Sequence, residues 1–180
     1  MTLAVCPGSF DPVTLGHLDV IRRARAMFDE VVVVVGHNAA KHPLLSVDER
    51  VMLVQTAVVG LEGVMVTSWD GLLADFLVRS GACAVVKGLR GGADVDAELG
   101  MALLNRHLSG VDTVFVPGDG ALAHVASSLV KDVARHGGAI DDLVPIGVAA
   151  AVRAAVVREA SAAREAAAVR EAAAARQLAP

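Results

Sequence analysis

Two kinds of apolar segment alternate along the first 150 residues of the chain. Short runs of valine, alanine and leucine are separated by longer stretches in which apolar residues recur every three or four positions. The first pattern is typical of strands buried on both faces of a sheet, and the second of amphipathic helices. The pattern predicts strands at residues 3–6, 31–35, 64–67, 84–86 and 113–116. Their alternation with helices favours βαβ units and a parallel sheet.

The predicted helices lie between these strands. The first has a helical stripe at Leu18, Ile21, Arg25 and Phe28. The second begins at Ser46-Val-Asp-Glu49, a capping box in which Ser and Glu side chains satisfy two free N–H groups, and runs to about residue 59. Further helices are predicted at 72–79, 94–108 and 127–136, the last ended by Gly137-Gly138. We therefore predict an α/β fold, a single doubly wound, Rossmann-like sheet of about five parallel strands flanked by helices.

The composition changes near residue 149. From there the chain is rich in alanine, with arginines six residues apart at 158, 164, 170 and 176. A step of six residues rotates about 600° around a helix, so these charges are spread over all faces and form no coiled-coil seam. We predict a domain at 1–148 and a helical or frayed extension at 149–180.

Composition and charge narrow the function classes. The chain has 180 residues, 16 Lys and Arg against 20 Asp and Glu, and a formal net charge of −4, which is not the balance of a nucleic-acid or anionic-membrane binder. No run reaches the roughly 18 apolar residues of a membrane-spanning helix. The cysteines, Cys6 and Cys83, are far apart, and no secretory signal pattern opens the chain. These features predict a cytoplasmic protein with no nucleic-acid or membrane partner.

The segment from Pro7 to His17 joins the first strand to the first helix and contains Gly8 and Gly16. Backbone N–H groups and the positive end of a helix meet at such a strand end, so an anion such as phosphate is the expected ligand. Neither the P-loop pattern nor the Gly-x-Gly-x-x-Gly pattern is present at this turn. His37 and His42 lack the further ligands of a zinc site, and we predict no metal held by protein side chains.

The same segment, Gly-Ser-Phe-Asp-Pro-x-Thr-x-Gly-His, matches the T/HxGH signature of the nucleotidyltransferase superfamily and resembles the phosphopantetheine adenylyltransferase family in particular. Thr14 carries that distinction, because related nucleotidyltransferases usually have His there. The resemblance covers about four-fifths of the chain. It continues through Lys41, the helix start at 46–50, the segments 87–90 and 105–108, and 127–131.

The resemblance implies reversible transfer of an adenylyl group from ATP to 4′-phosphopantetheine, giving dephospho-coenzyme A and pyrophosphate in coenzyme A biosynthesis, with Mg²⁺ as cofactor. The acceptor phosphate attacks directly and no covalent enzyme intermediate forms. Alignment and neutralisation of charge are then the work of the protein. The resemblance assigns catalysis to His17, Lys41 and Arg90.

The resemblance also assigns substrate contacts. Those to phosphopantetheine fall on Ser9, Lys41, Leu73, Lys87 and Asn105. Those to ATP fall on Ser9, Phe10, His17, Gly88, Arg90, Glu98, Ser127 and Ser128. It further implies a homo-oligomer, commonly a hexamer, and coenzyme A as a feedback inhibitor.

Two alternatives remain open from the residues. The chain departs from the family at Lys87, where Arg is frequent, and at Ala126, which opens what is usually a triple-Ser run, and it has no Tyr. The missing aromatic residues and Ala126 are the support for a non-catalytic nucleotide or coenzyme A binding protein, against which His17, Lys41 and Arg90 together argue. A nucleotidyltransferase with another phosphate acceptor is the second alternative, against which Thr14 argues.

Overall fold

The computed structural model describes residues 1–36 and 42–177, with side chains up to residue 171. Within these residues five strands alternate with four α-helices, and the last strand is followed by a short 3₁₀ helix at Gly120–Leu122 and two further α-helices. The strands are β1 (Leu3–Gly8), β2 (Glu30–Gly36), β3 (Val64–Trp69), β4 (Ala84–Leu89) and β5 (Asp112–Pro117). The helices are α1 (Leu15–Met27), α2 (Val47–Ala57), α3 (Leu73–Ser80), α4 (Gly92–Ser109), α5 (Ser127–Arg135) and α6 (Val148–Gln177). The predicted α/β class is confirmed.

All strand pairs are parallel, in the order β3-β2-β1-β4-β5. Strand β1 therefore lies between β2 and β4, and the chain leaves it toward both sides of the sheet. In a doubly wound sheet this reversal opens a crevice beyond the carboxyl ends of the central strands, where ligands bind. The loops after β1 and β4 meet at this crevice.

The core lies on both faces of the sheet. The larger part packs α1, α2, α5 and the start of α6 against one face, and the smaller part packs α3 against the other. The valines of β2 are the best example, because Val31, Val33 and Val35 face the larger cluster while Val32 and Val34 face the smaller one. Burial on both faces explains why β2 is an unbroken valine run.

The C-terminal helix α6 is packed only at its start. Ala149, Val152 and Ala155 are buried in the core, whereas residues from Val157 to residue 171 are exposed. Ala149 already lies past the predicted domain boundary, so the core extends about two turns into the alanine-rich segment. Within residues 1–36 and 42–177, no helix has both the length and the apolar character needed to cross a membrane.

Gly88 marks the closest approach between β4 and α1. A Cβ atom built on Gly88 would lie 2.4 Å from Cγ2 of Val20, closer than packed carbon atoms can stand. We expect Gly88→Ala to lower the free energy of unfolding by about 1–3 kcal/mol, because overpacking forces the helix outward. Adding Val20→Ala should recover part of that loss in urea unfolding. Equal costs of Gly88→Ala with and without Val20→Ala would contradict this explanation.

Candidate active site

A cavity of about 450 Å³ opens at the carboxyl ends of β1 and β4, the crevice that the strand order creates. Its walls come from the turn after β1, the end of β4 and the amino-terminal ends of α1, α4 and α5. Nine predicted site residues line it, namely Ser9, Phe10, His17, Lys87, Gly88, Arg90, Glu98, Ser127 and Ser128. The structure thus brings together residues that are up to 119 positions apart in the chain.

The turn after β1 has an unusual backbone. Phe10 is buried and has a φ of 48°, a left-handed conformation that an L side chain adopts at a cost of about 1–2 kcal/mol. Its ring lies against Gly8, where a Cβ atom would be 2.9 Å from the ring. The same ring meets the imidazole of His17 edge to face, with the ring centroids 5.0 Å apart. Gly8 therefore makes room for the ring that packs against the histidine.

His17 is oriented by the cap of its own helix. Thr14 is the N-cap of α1, and its hydroxyl accepts a hydrogen bond from the backbone N–H of His17. In return the backbone N–H of Thr14 donates to Nδ1 of His17 at 3.0 Å, so the T/HxGH motif is a capping box with histidine in the place of the usual Glu or Gln. Because Nδ1 accepts, the proton of the neutral ring is on Nε2, which makes no hydrogen bond to any residue the structure describes.

Burial, together with the positive charges of Arg90 and Lys87, lowers the pKa of His17 to about 4. The imidazole of His17 is therefore neutral at pH 7. The ring that lines the cavity is then a hydrogen-bond donor through Nε2, without a charge of its own.

The two cations of the β4 end are paired with carboxylates of α4. Lys87 Nζ lies 3.1 Å from Glu98 Oε2. The guanidinium of Arg90 donates to both carboxylate oxygens of Asp94, and the backbone N–H of Arg90 donates to Oδ2 of Asp94 at 2.7 Å. These contacts hold both cations beside the cavity.

The amino-terminal end of α5 forms the opposite wall. Its N-cap residue is Ala126, and no side chain caps this end of the helix. The Ser127 hydroxyl donates to the carbonyl of Pro12, which ties the helix to the turn after β1. The backbone N–H groups of the first turn are thus open to a ligand, and an uncapped helix end of this kind favours an anion.

A second cavity of about 220 Å³ adjoins the first and shares Ser9, Lys87 and Glu98 with it. Leu73, at the start of α3, and Asn105, on α4, contribute to its lining. Asn105 is 6% exposed, and its side-chain amide makes no hydrogen bond to a residue that the structure describes. Because Asn105 lines the cavity, its amide is available to hydrogen-bond a ligand that carries polar groups.

Lys41, the remaining predicted site residue, lies outside the described residues. Three residues around the site were not predicted to have a role there. Arg50 and Asp11 are buried polar residues at the turn after β1, and Asp94 holds Arg90. One signal was present for Arg50, because it shares a helical stripe with Leu53 and Val54 at a spacing of three and four.

The sequence profile of the cytidylyltransferase-like family matches residues 5–133, from β1 into α5. A phosphopantetheine adenylyltransferase of Bifidobacterium longum is 54% identical over 147 residues, which are 81% of this chain and 89% of that protein. A phosphopantetheine adenylyltransferase of Micrococcus luteus is 52% identical over 149 residues, covering 82% of this chain and 95% of the relative. The chain belongs to the phosphopantetheine adenylyltransferase family. The resemblance drawn from the motifs is confirmed.

Among solved structures, a putative nicotinate-nucleotide adenylyltransferase from Vibrio parahaemolyticus is similar, with a TM-score of 0.61 over 88% of this chain and 97% of that one. The two sequences are 18% identical, so the likeness is one of fold. It places the chain among Rossmann-like nucleotidyltransferase folds. All predicted site residues of this phosphopantetheine adenylyltransferase family member, from Ser9 to Ser128, lie within the matched residues 5–133.

His17 should make the stability of the protein depend on pH. Its pKa is about 4 in the folded chain against an ordinary value near 6.5, so the folded state takes up this proton less readily than the unfolded one. The contribution of neutral His17 to the free energy of unfolding is complete above pH 6.5 and is lost as the pH falls toward 4. A shift of this size corresponds to on the order of 3 kcal/mol.

We expect the unfolding free energy of the wild type to fall by that much more than that of His17→Gln between pH 6.5 and 4, as measured by urea unfolding. Both proteins have the same carboxylates, so the effect of those groups on the pH dependence cancels in the comparison. Parallel pH curves for the two proteins would contradict the low pKa.

Proposed function

We propose that this member of the family transfers the adenylyl group of ATP to 4′-phosphopantetheine and releases pyrophosphate. A phosphate oxygen of the acceptor forms a bond to the α-phosphorus of ATP. The bond from that phosphorus to the oxygen bridging to the β-phosphate breaks, and pyrophosphate leaves with its electron pair. The observation that carries the proposal is that His17, whose Nδ1 accepts from Thr14 and whose Nε2–H is left as a donor, lines the same cavity as Ser9 and the open end of α5.

His17 would donate from Nε2 to an oxygen of the α-phosphate. As the acceptor oxygen attacks, negative charge is spread over the transferring group, and a fixed neutral donor stabilises that charge without a proton being transferred. The low pKa supports this role, because the ring is neutral throughout the neutral pH range and its one N–H is directed by the Thr14 cap.

The cations would place the phosphates on either side of the reacting bond. We assign Lys87 and Lys41 to the acceptor phosphate and Arg90 to the nucleotide, with Ser9 between them. The backbone N–H groups of Ser127 and Ser128 would receive the β- and γ-phosphates at the start of α5. The Lys87–Glu98 ion pair then opens or reorients when phosphate enters, since Glu98 lies on the same cavity wall.

The second cavity suits the arm of the acceptor. That arm carries amide groups on an alkyl chain, and the cavity is lined both by the apolar Leu73 and by Asn105, whose amide can donate and accept hydrogen bonds. Glu98 lies seven residues before Asn105 on α4 and lines both cavities, at the boundary between acceptor and nucleotide. We therefore propose that Asn105 contacts the acceptor and Glu98 the nucleotide.

Mg²⁺ would enter with the triphosphate. Among the described residues there is no group of three or more His, Cys, Asp or Glu side chains placed to hold a metal ion. Mg²⁺ is commonly held by substrate phosphates with few protein ligands, and it offsets part of their charge. The cations and N–H donors of the chain would neutralise the rest of that charge.

The deciding experiment measures pyrophosphate release with ATP, Mg²⁺ and 4′-phosphopantetheine. Nicotinate mononucleotide with ATP and glycerol 3-phosphate with CTP serve as competing acceptors. Turnover with phosphopantetheine alone is the expected result. Turnover with another acceptor would redirect the proposal within the nucleotidyltransferases. Nucleotide binding without turnover in any pair would favour the non-catalytic binding protein.

We further propose that the chain forms a homo-oligomer, as a hexamer, in the cytoplasm. Helix α4 supports assembly, because only Asn105 is buried along it, while five large apolar side chains are exposed at 44–57%: Leu99, Met101, Leu103, Leu104 and Leu108. An exposed apolar surface on one helix marks an interaction site. Light scattering should then give six times the 18.4 kDa of one chain.

Coenzyme A is the proposed feedback inhibitor. It carries both the pantetheine arm and an adenine nucleotide, so it would occupy the two adjoining cavities together. Inhibition of pyrophosphate release by coenzyme A that is relieved by raising the phosphopantetheine concentration would support this.

A further inference from the structure

The first turn of α2 places a buried arginine beside the turn after β1. Arg50 is 2% exposed and is among the largest fully buried side chains of the protein. It is hydrogen-bonded to no carboxylate of the described residues, and the charge of Asp11 acts on it only from a distance. A buried guanidinium without a carboxylate partner is costly unless its N–H groups are hydrogen-bonded, so the acceptors that it does have are informative.

Those acceptors are three backbone carbonyls. Nη1 of Arg50 donates to the carbonyl of Ser9 at 2.7 Å and to that of Gly36 at 3.2 Å, and Nε donates to the carbonyl of Ser46 at 3.3 Å. Ser9 follows β1, Gly36 ends β2, and Ser46 is the N-cap of α2. One side chain therefore joins three backbone segments at the carboxyl edge of the sheet.

The Ser9 carbonyl belongs to the peptide unit that leads into Phe10. Phe10 holds its left-handed φ of 48° only because its surroundings impose it. The bond from Arg50 fixes the plane of this peptide, and so also the direction of the Phe10 ring that packs 5.0 Å from the His17 ring.

We propose that Arg50 is a positioning residue for adenylyl transfer, which holds the Ser9–Phe10 peptide so that Ser9 and His17 face the reacting phosphates. This inference rests on the proposed function for its kinetic part. Arg50 contacts the site through the Ser9 carbonyl, and the ordered turn is its contribution.

Three variants test the role: Arg50→Met, which removes the donors; Arg50→Lys, whose ammonium can donate to the Ser9 and Gly36 carbonyls; and Arg153→Met as control. Arg153 is an exposed arginine on α6 that pairs with Asp141 and does not line the cavity. The measurements are kcat, KM for each substrate, the unfolding temperature, and hydrogen–deuterium exchange of the peptide covering residues 8–11.

We expect Arg50→Met to lower kcat about 100-fold, because a displacement near 1 Å in the aligned groups has an effect of that order. Both KM values should stay within about threefold, since the phosphate contacts themselves remain. Exchange at residues 8–11 should increase in Arg50→Met and not in Arg153→Met. The kcat of Arg50→Lys should be about tenfold higher than that of Arg50→Met. The reason is that one nitrogen of Arg50, Nη1, binds both the Ser9 and the Gly36 carbonyl, and a lysine ammonium can take its place.

A kcat of Arg50→Met within twofold of wild type would overturn the proposal. The proposal would also be overturned if Arg50→Met lowers kcat, raises both KM values and lowers the unfolding temperature together, and Arg50→Lys restores none of them. A merely structural arginine behaves that way. If Arg50→Met does not fold, Arg50→Lys decides alone: an unchanged kcat overturns the proposal, and a several-fold lower kcat at unchanged KM supports it. If the wild type has no turnover with phosphopantetheine, the proposed function fails separately, and exchange at residues 8–11 still decides whether Arg50 orders the turn.

Discussion

Replacing His17 by alanine should lower kcat for pyrophosphate release about 1000-fold, while KM for ATP changes less than threefold. Removing one donor to a charge that develops in the transition state has an effect of 10²–10³-fold or somewhat more. ATP is still held by Arg90 and the start of α5 in the proposed complex, so ground-state binding depends little on the ring. Steady-state kinetics with ATP and 4′-phosphopantetheine, together with calorimetric binding of ATP, measures both quantities.

Two further variants make the result specific. His17→Gln can place an amide N–H near the position of Nε2, but it lacks the Nδ1 acceptor for the Thr14 N–H, so we expect about a tenfold recovery over alanine. His136→Ala removes an exposed histidine at the end of α5 and should leave kcat unchanged. A His17→Ala protein that retains more than a tenth of wild-type kcat would remove His17 from the reaction.

Much of the fold could be predicted because it follows from local patterns. The valine run of β2 and the capping box at Ser46 both have one structural interpretation, and both are where the sequence places them. Strand ends were less predictable. Strand β3 continues to Trp69, past the predicted residue 67, because Trp69 pairs with Gly36 of β2. That pairing is a tertiary contact and leaves no periodic signal in the chain.

The C-terminal helix shows the same limit. High alanine content predicts a helix from residue 149, and α6 is one. Which of its residues reach the core depends on where α5 and the sheet lie, so the burial of Val152 and Ala155 could not be anticipated from composition. The predicted division at residue 148 stays a prediction.

Within the site, sequence and structure contribute different information. The turn motif places Ser9 and His17 next to each other because they are near in sequence. The cap that sets the tautomer of His17 could also have been predicted, since Thr14 precedes His17 by three residues, the spacing of a capping box. Arg50 and Asp11 were missed because a single charged residue in a sequence is usually solvent-exposed, and only the folded chain shows that both are buried.

Asp11→Asn should lower the free energy of unfolding by about 3 kcal/mol, since it leaves a largely buried ammonium without its partner. The Asp11 carboxylate accepts from Lys131 Nζ at 2.6 Å and from the backbone N–H groups of Leu44 and Leu45. The side chains of Asp11 and Lys131 are 7% and 19% exposed, so water replaces little of what is lost. Thermal unfolding should shift down by about 10 °C.

The double variant Asp11→Asn/Lys131→Met distinguishes a lost charge pair from a lost turn. If the unpaired ammonium is the main cost, removing it should recover about half of the loss, whereas additive costs in the double-mutant cycle would assign the effect to the Leu44 and Leu45 contacts.

The pH dependence of stability gives a second check. Burial raises the pKa of Asp11, but the hydrogen bonds from Lys131, Leu45 and Leu44 outweigh it and hold the pKa below its ordinary value. The stabilisation is therefore complete above about pH 4, the unfolded pKa, and is lost as the pH falls through the folded pKa. Wild type and Asp11→Asn should converge in stability there, because a protonated Asp11, like the amide, no longer neutralises Lys131.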